Sequence, residues 1–305
     1  KFLQETQKGS QKLELSFSTY SLADFMVLDA ETRRNLELTE TLRENKTEGS
    51  LLGVLDKTHT AIGKRLLRSW VNKPLLDVSM IEQRLEAVTY FFERGVERQQ
   101  IAELLTQLHD IERLVNRINS GNARPNDLLA LREDLTVLPQ LLPLLDQEHP
   151  ALQPLLATWQ GFEPELELLN AAISDDPPAT LNNVGLIREG FSKELDQVVS
   201  SSKHARDWIN SLESSERQRT GLKTLRVGFN KVFGYYIEIS RGLADKAPEE
   251  YIRKQTLVNS ERYITPELKE YESLVLNAET QIHEIELKVF KQVCAQLGKS
   301  SQNLL

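Results

Sequence analysis

The chain has 305 residues, a net charge of −8 and a hydrophobic content of 40%. Its length exceeds what one small core needs and predicts two or three compact units. No apolar run approaches the roughly 18 residues of a membrane span, which argues against a membrane partner. The single cysteine, Cys294, excludes an internal disulfide and a cysteine-based zinc site, and it favours a reducing compartment such as the cytoplasm.

Helical patterns dominate residues 1–173. Residues 1–7 resemble a helix end, and Asp29 and Ser50 are predicted to cap two later helices. A further helix ends before Pro74, and residues 78–94 carry an apolar pattern of Ile81, Leu85, Val88 and Phe92. Residues 126–145 and 151–173 predict two more helices. No strand alternation interrupts this segment, so we expect a helical bundle.

Two long helices are predicted on either side of a β-rich island. After a break at residues 174–186, the first runs over about 188–219. Thr265, Pro266 and Glu267 provide a cap and first turn for the second. Each carries an apolar stripe at helical spacing, namely Phe191, Leu195, Val198, Val199, Ala205, Trp208, Ile209 and Leu212 in one and Leu268, Tyr271, Val275, Ala278, Ile282, Ile285, Val289 and Val293 in the other. Helices of this length reach roughly 45 Å and are expected to pair antiparallel.

The island, residues 221–265, alternates as a strand does. Residues 224–241 predict a hairpin with its turn within 230–234, residues 247–252 a helical turn, and residues 253–258 a third strand that ends at Asn259 and Ser260. The fold class expected for the whole chain is mainly α: a helical bundle with a long antiparallel two-helix lever that carries a small β-rich insert.

The island is also the basic part of an acidic chain. It holds eight Lys and Arg against five Asp and Glu, a net charge of +3, which leaves −11 on the remainder. Cationic and amide donors at its turn and third strand suit phosphate oxygens, and binding should weaken as salt rises. The candidate contacts are Asn230, Lys231, Arg253, Lys254, Gln255 and Asn259. A solvated hairpin edge guarded by lysines would have the same composition. The six aromatic side chains of the island are expected to form its small core.

No catalytic constellation is present. The five histidines are scattered, and Gly298, Lys299 and Ser300 lack both the first glycine and the strand-to-helix setting of a phosphate loop. We therefore expect the chain itself to be no enzyme and to hold no cofactor or metal.

Several long strings resemble the bacterial MutS family of DNA mismatch-repair proteins. The most specific are 219–230 (RTGLKTLRVGFN), 234–241 (GYYIEISR), and 255–257 (QTL) with 261–263 (ERY). Others are 28–38 (LDAETRRNLEL), 63–70 (GKRLLRSW), 110–114 (DIERL) and 185–191 (GLIREGF). The likeness runs nearly from end to end.

The resemblance implies the helical lever (core) domain of that family with the clamp domain inserted in it. It places the end of a connector and linker helix at 1–20, the first part of the lever at 21–205, the clamp at 206–265 and the return helix at 266–305. It further implies contact with the duplex DNA backbone without sequence readout, a second MutS subunit, and MutL. ATP and Mg²⁺ belong to an ATPase domain that this chain lacks. Consistent with a piece of a longer protein, the chain has no initiator Met and no apolar leader, and it stops inside a helical pattern.

A second function fits the same residues. The island could dock a protein partner, which would make the chain an interaction scaffold. The +3 island on a −11 body weighs modestly against this alternative.

Overall fold

The computed structural model describes residues 25–230, 232 and 234–304. They form two compact units. Unit 1 comprises the described residues up to Asp110 and Gln140–Trp159, and unit 2 comprises Ile111–Pro139 and the described residues from Gln160 onward. The predicted linker helix at 1–20 lies outside the described residues. The predicted boundaries at 205 and 265 both fall inside unit 2 and stay predictions.

The fold is mainly α with one small sheet, as predicted. Its helices are α1 (Ala30–Asn35), α2 (Leu51–Leu55), α3 (Ala61–Asn72), α4 (Val78–Glu93), α5 (Gly95–Leu105), α6 (Ile111–Asn119), α7 (Pro125–Val137), α8 (Gln153–Leu156), α9 (Glu163–Ala172), α10 (Lys193–Thr220), α11 (Pro266–Lys299) and α12 (Ser301–Leu304). Two 3-10 helices, Leu138–Leu144 and Arg241–Lys246, complete the helical elements of the described chain. Its strands are β1 (Arg226–Asn230), β2 (Gly234–Ser240), β3 (Ile252–Thr256) and β4 (Ser260–Ile264).

The predicted helix caps are confirmed. A side-chain oxygen of Asp29 accepts the N–H of Thr32, and Thr265 accepts that of Leu268 at 3.1 Å. Ser50 caps α2 in the same way. These bonds satisfy N–H groups that have no partner inside the helix, which is why each helix starts where it does.

Unit 1 buries less of its apolar pattern than the sequence predicts. A small cluster forms around Leu52, but the α4 stripe stays exposed, and Phe92 keeps 79% of its surface. The buried residue of α4 is Tyr90, on another face of the helix, whose hydroxyl accepts the N–H of Asp146 at 2.8 Å. Helical spacing therefore identified an apolar face without identifying what that face packs against.

Unit 2 has two cores. The first packs α6, α7 and α9 against the N-terminal end of α10 and the C-terminal end of α11, around the fully buried Leu128, Leu131 and Leu169. The second lies where the sheet packs on the other ends of α10 and α11, around Leu225 and Ile237.

The helices α10 and α11 run antiparallel within unit 2. Glu194 pairs with Lys288 and Arg206 pairs with Glu279, so positions that rise along one helix fall along the other. The helices have 28 and 34 residues, which corresponds to lengths of about 42 and 51 Å. The expected antiparallel pair is confirmed, although α10 begins at Lys193 and not near 188.

The sheet is antiparallel, with strand order β1-β2-β4-β3. The predicted hairpin is β1–β2. The sequence prediction missed a fourth strand, β4. It treated Ser260 as the exit from the third strand, whereas Ser260 is the first residue of β4. It lies between β2 and the predicted third strand, so β3 is an edge strand. The helical turn expected at 247–252 is a single hydrogen-bonded turn, in which the N–H of Tyr251 donates to the carbonyl oxygen of Pro248 at 3.0 Å, and a 3-10 helix, which was not predicted, covers Arg241–Lys246.

Candidate nucleic-acid interface

The sheet register separates the predicted contact residues into two places. The β1–β2 turn, residues 230–234, lies at one end of β2, and the β3–β4 turn, which contains Asn259, lies at the other because Ser240 pairs with Ser260. Six residue steps along β2 correspond to roughly 20 Å. The structure therefore brings Arg253, Lys254, Gln255 and Asn259 to one edge and leaves Asn230 apart from them. Lys231 lies outside the described residues.

We call the first group the β3 edge surface, and the structure adds Arg241 to it. The N–H of Arg241 donates to the carbonyl oxygen of Asn259 at 3.0 Å, and the Arg241 side chain is exposed. Sequence reasoning counted the charge of Arg241 but did not place it here. Only the pairing of β2 with β4 brings it beside the β3–β4 turn.

A β-bulge gives Lys254 its position. Arg253 pairs with Tyr263 and Gln255 pairs with Arg262, so Lys254 is the extra residue of β3. Bulges bend a strand and redirect side chains. Among the described residues nothing pairs with the exposed ammonium group of Lys254, which leaves that group available to an external anion.

Arg253 is less free, because its guanidinium lies 3.5 Å from the Glu261 carboxylate. The hydroxyl of Tyr263 donates to the same carboxylate at 2.7 Å. That hydrogen bond, with the nearby charges of Arg253 and Arg241, lowers the pKa of Glu261, while burial and Glu261 together raise the pKa of Tyr263 to about 12. The Arg253 guanidinium is exposed although Glu261 is buried, and the Tyr263 hydroxyl donates to that carboxylate independently of Arg253, so a phosphate can recruit Arg253.

Gln255 faces the outer side of the sheet. Its side-chain oxygen accepts from Arg262 at 3.1 Å, and Arg262 also donates to Glu238 at 2.9 Å. The Arg262 guanidinium stacks over the Tyr236 ring, 4.1 Å from its centroid. These three contacts order Arg262 and hold Gln255 in place.

The loop before β3 is tied to the end of α10. The Tyr251 hydroxyl donates to Glu216, and Arg219 bridges Glu216 and Glu250. Burial, followed by the hydrogen bond to Glu216, raises the pKa of Tyr251. The network fixes where β3 starts relative to the helix pair.

The two edges of the sheet differ. On β1 the N–H of Val227 donates to Glu213 at 2.9 Å, and Arg217 donates to the carbonyl oxygen of Leu225 at 2.7 Å, so α10 side chains cover this edge. In the part of the chain that the structure describes, β3 has no such cover. An uncovered edge rich in Lys and Arg is protected from strand pairing and accessible to a ligand.

At the β1–β2 turn, the side-chain oxygen of Asn230 accepts the N–H of Val232 at 2.8 Å. The expectation that the aromatic residues form the core of the island holds for Tyr251 and Tyr263, which are buried. It is wrong for Phe229, which keeps 50% of its surface although it contacts Tyr235. Phe233 lies outside the described residues.

The residues that resemble a phosphate loop do not fit one. Gly298 and Lys299 lie at the C-terminal end of α11, where the helix dipole repels anions. Gly298 packs against α6, and a Cβ there would lie 3.1 Å from Asn119 Oδ1. Within the described residues no group of His, Cys, Asp and Glu could hold a metal ion, and none of the helices is long and apolar enough to cross a membrane.

Fold and site together define a mainly α domain whose two long helices carry a small sheet with a basic edge. A family model described as MutS domain III matches residues 31–305, so the chain belongs to the MutS domain III family.

The chain is similar to three curated proteins that share the name DNA mismatch repair protein MutS. It is 44% identical to that of Acetivibrio thermocellus over 304 residues, covering 99% of this chain and 35% of the relative. It is 45% identical to that of Halothermothrix orenii over 295 residues, covering 96% and 33%. It is 42% identical to that of Salinibacter ruber over 301 residues, covering 98% and 33%. The chain spans about a third of the length of these relatives.

Proposed function

We propose that the chain is the DNA-clamping and lever domain of a mismatch-repair ATPase, and that the β3 edge surface contacts the phosphate backbone of duplex DNA. The observation that carries the proposal is the uncovered β3 edge, where Arg241, Arg253 and Lys254 lie beside the amides of Gln255 and Asn259. Long cationic side chains with amide donors beside them bind phosphate and sugar without reading bases.

The charge distribution supports the same function. The net charge is −8 for the whole chain and +3 for residues 221–265. A basic segment on an acidic chain attracts DNA to one place and repels it elsewhere. Asn230 supplies a second contact, roughly 20 Å along the sheet from Asn259, and Lys231, its neighbour in the sequence, stays a predicted contact.

The lever role rests on the helix pair. The helices α10 and α11 join the sheet to the first core of unit 2, the one formed with α6, α7 and α9. A displacement at that core therefore moves the sheet. We propose that ATP and Mg²⁺ act on this domain from a separate ATPase domain of the full-length protein and that this chain is not catalytic. In the full-length protein, a second MutS subunit would supply the other clamp and MutL would be a further partner. Such a protein would work on DNA in the bacterial cytoplasm.

The test is a titration of a fluorescein-labelled duplex with the 305-residue chain between about 50 and 200 mM salt. Lys254→Ala is expected to weaken binding several-fold and to reduce the slope of log K against log salt by about 0.9, since one phosphate contact is lost. Asn259→Ala should weaken binding and leave the slope unchanged, because it removes no charge. Lys291→Ala is the matched control, an exposed lysine on α11 far along the chain from the sheet.

If affinity and slope are the same for Lys254→Ala and the wild type, the phosphate contact is wrong. That result would favour the alternative of a protein-docking surface, for which the exposed Val258 beside Asn259 offers an apolar anchor, with 82% of its surface accessible.

A further inference from the structure

Glu272 is a buried carboxylate whose place in α11 is not explained by helix stability. Only 3% of its surface is exposed. Its Oε1 accepts from the Lys269 ammonium at 2.8 Å, but among the described residues Oε2 has no hydrogen-bond partner. A buried carboxylate oxygen without a donor costs free energy that an apolar residue at this position would avoid.

The carboxylate of Glu272 lies directly against Gly234, the first residue of β2. A Cβ on Gly234 would lie 2.2 Å from Glu272 Oε1 and 2.7 Å from Oε2, so the carboxylate occupies the space that any side chain there would need. Gly234 also has a φ of +78°, which is unfavourable for residues with a Cβ. Glycine is therefore required for two independent reasons, of which only the first depends on Glu272.

Gly234 closes the β1–β2 turn, since it pairs with Asn230 across the hairpin. The carboxylate thus lies against the hairpin residue that pairs with Asn230, one of the proposed DNA contacts. The same helix extends through the core of unit 2, where Val289 and Phe290 are buried. Glu272 is a point at which this 34-residue helix meets the turn.

We propose that Glu272 is a positioning residue that seats the β1–β2 hairpin on α11, so that displacement of the helix moves Asn230 relative to the β3 edge surface. The inference rests on the proposed DNA-clamping function and adds a mechanical link within it. The buried carboxylate acts through its shape and through its contact with the turn backbone, and it need not touch DNA.

The test compares Glu272→Ala with the isosteric Glu272→Gln in the 305-residue chain, using the same duplex and salt series. Glu272→Ala empties the space beside Gly234 and is expected to weaken duplex binding about 3–10-fold, because the Asn230 contact is misplaced. Glu272→Gln keeps the shape and should bind within about 2-fold of the wild type. A purely structural role would lower the urea midpoint without changing the duplex affinity of the folded protein.

Gly234→Ala provides an independent measurement, because it introduces the collision from the other side. In the double variant Gly234→Ala/Glu272→Ala the collision is gone and only the strain of a positive φ remains. The double variant should therefore lose less affinity than the product of the losses that the two single variants show. If Gly234→Ala does not fold, the comparison of Glu272→Ala with Glu272→Gln still decides the question.

Lys254→Ala separates this inference from the function on which it rests. If Lys254→Ala weakens binding and Glu272→Ala leaves affinity and slope unchanged, the positioning role is wrong and the DNA-clamping function stands. If neither variant changes binding, both proposals fail.

Discussion

Glu286 offers the sharpest test of how the helix pair is anchored. It is buried on α11, and its carboxylate accepts the N–H of Gly185 at 2.9 and 3.0 Å and that of Ile187 at 3.3 Å. His283, one turn earlier, contacts the carbonyl oxygen of Leu181 at 2.8 Å. The segment that precedes α10 is thereby fastened to α11 at the end remote from the sheet.

We expect Glu286→Ala to lower the free energy of unfolding by about 2–4 kcal/mol. A hydrogen bond to a charged acceptor contributes about 1.5–3 kcal/mol, and a buried donor left without a partner costs a similar amount. Ile187 is buried and would lose its acceptor, whereas Gly185 is exposed and water can replace the carboxylate. The total therefore corresponds to between one and two such bonds.

The pH dependence of the free energy of unfolding gives a second, independent test of the role of Glu286. Burial raises the pKa of Glu286 above its ordinary value of 4.5, and the backbone N–H donors only partly oppose this. The folded protein therefore holds the proton more tightly than the unfolded chain does. The contribution of this proton to the free energy of unfolding is therefore complete at pH values below 4.5, and it is lost as the pH rises through the pKa that Glu286 has in the folded protein. Relative to Glu286→Gln, the wild type should gain stability as the pH is lowered from 7.5 towards about 4.5.

Urea unfolding followed by circular dichroism measures both effects, and hydrogen exchange of the peptide that contains Ile187 locates them. Glu284→Ala is the control, because this glutamate is exposed on the same helix and should change stability by less than about 0.5 kcal/mol. A Glu286→Ala variant as stable as the control would refute the anchoring role. A stability difference from Glu286→Gln that is flat or of opposite sign would refute the raised pKa.

Two further predictions concern the cores of unit 2. Leu225→Ala should destabilise the sheet by about 2–5 kcal/mol, because the side chain is fully buried, while Ile237→Val should cost only about 0.5–1.5 kcal/mol. Hydrogen exchange of the strands measures both changes in stability. Equal costs for the two variants would contradict the packing. Cys294 should resist alkylation at pH 8 until urea unfolds the protein, because burial raises the pKa of its thiol to about 12; rapid labelling of the folded chain would show that the thiol is accessible.

The sequence alone determined the local features of this protein. The caps at Asp29 and Thr265, the pairing stripes of α10 and α11, and the β1–β2 hairpin follow from hydrogen bonds and periodicities that involve residues close together in the chain. For the same reason the mainly α fold with a small β-rich insert was predictable.

The tertiary structure decided which strands are neighbours. β4 was missed because its sequence carries Glu261 and Arg262, and charged residues rarely occur in a central strand. Their charges are accommodated only by partners distant in sequence, since Arg262 pairs with Glu238 across the sheet. Once β4 separates β2 from β3, the register places Asn230 and Asn259 at opposite ends of β2.

Burial and contact were likewise beyond the sequence. An amphipathic pattern states that one face of α4 is apolar, but whether that face is covered depends on packing, and here it is exposed. The contact of Glu272 with Gly234 joins residues 38 positions apart and has no local signature. Periodicity specifies faces and caps within one element, whereas strand order, register and close approach between elements are set by the free energy of the whole packed unit.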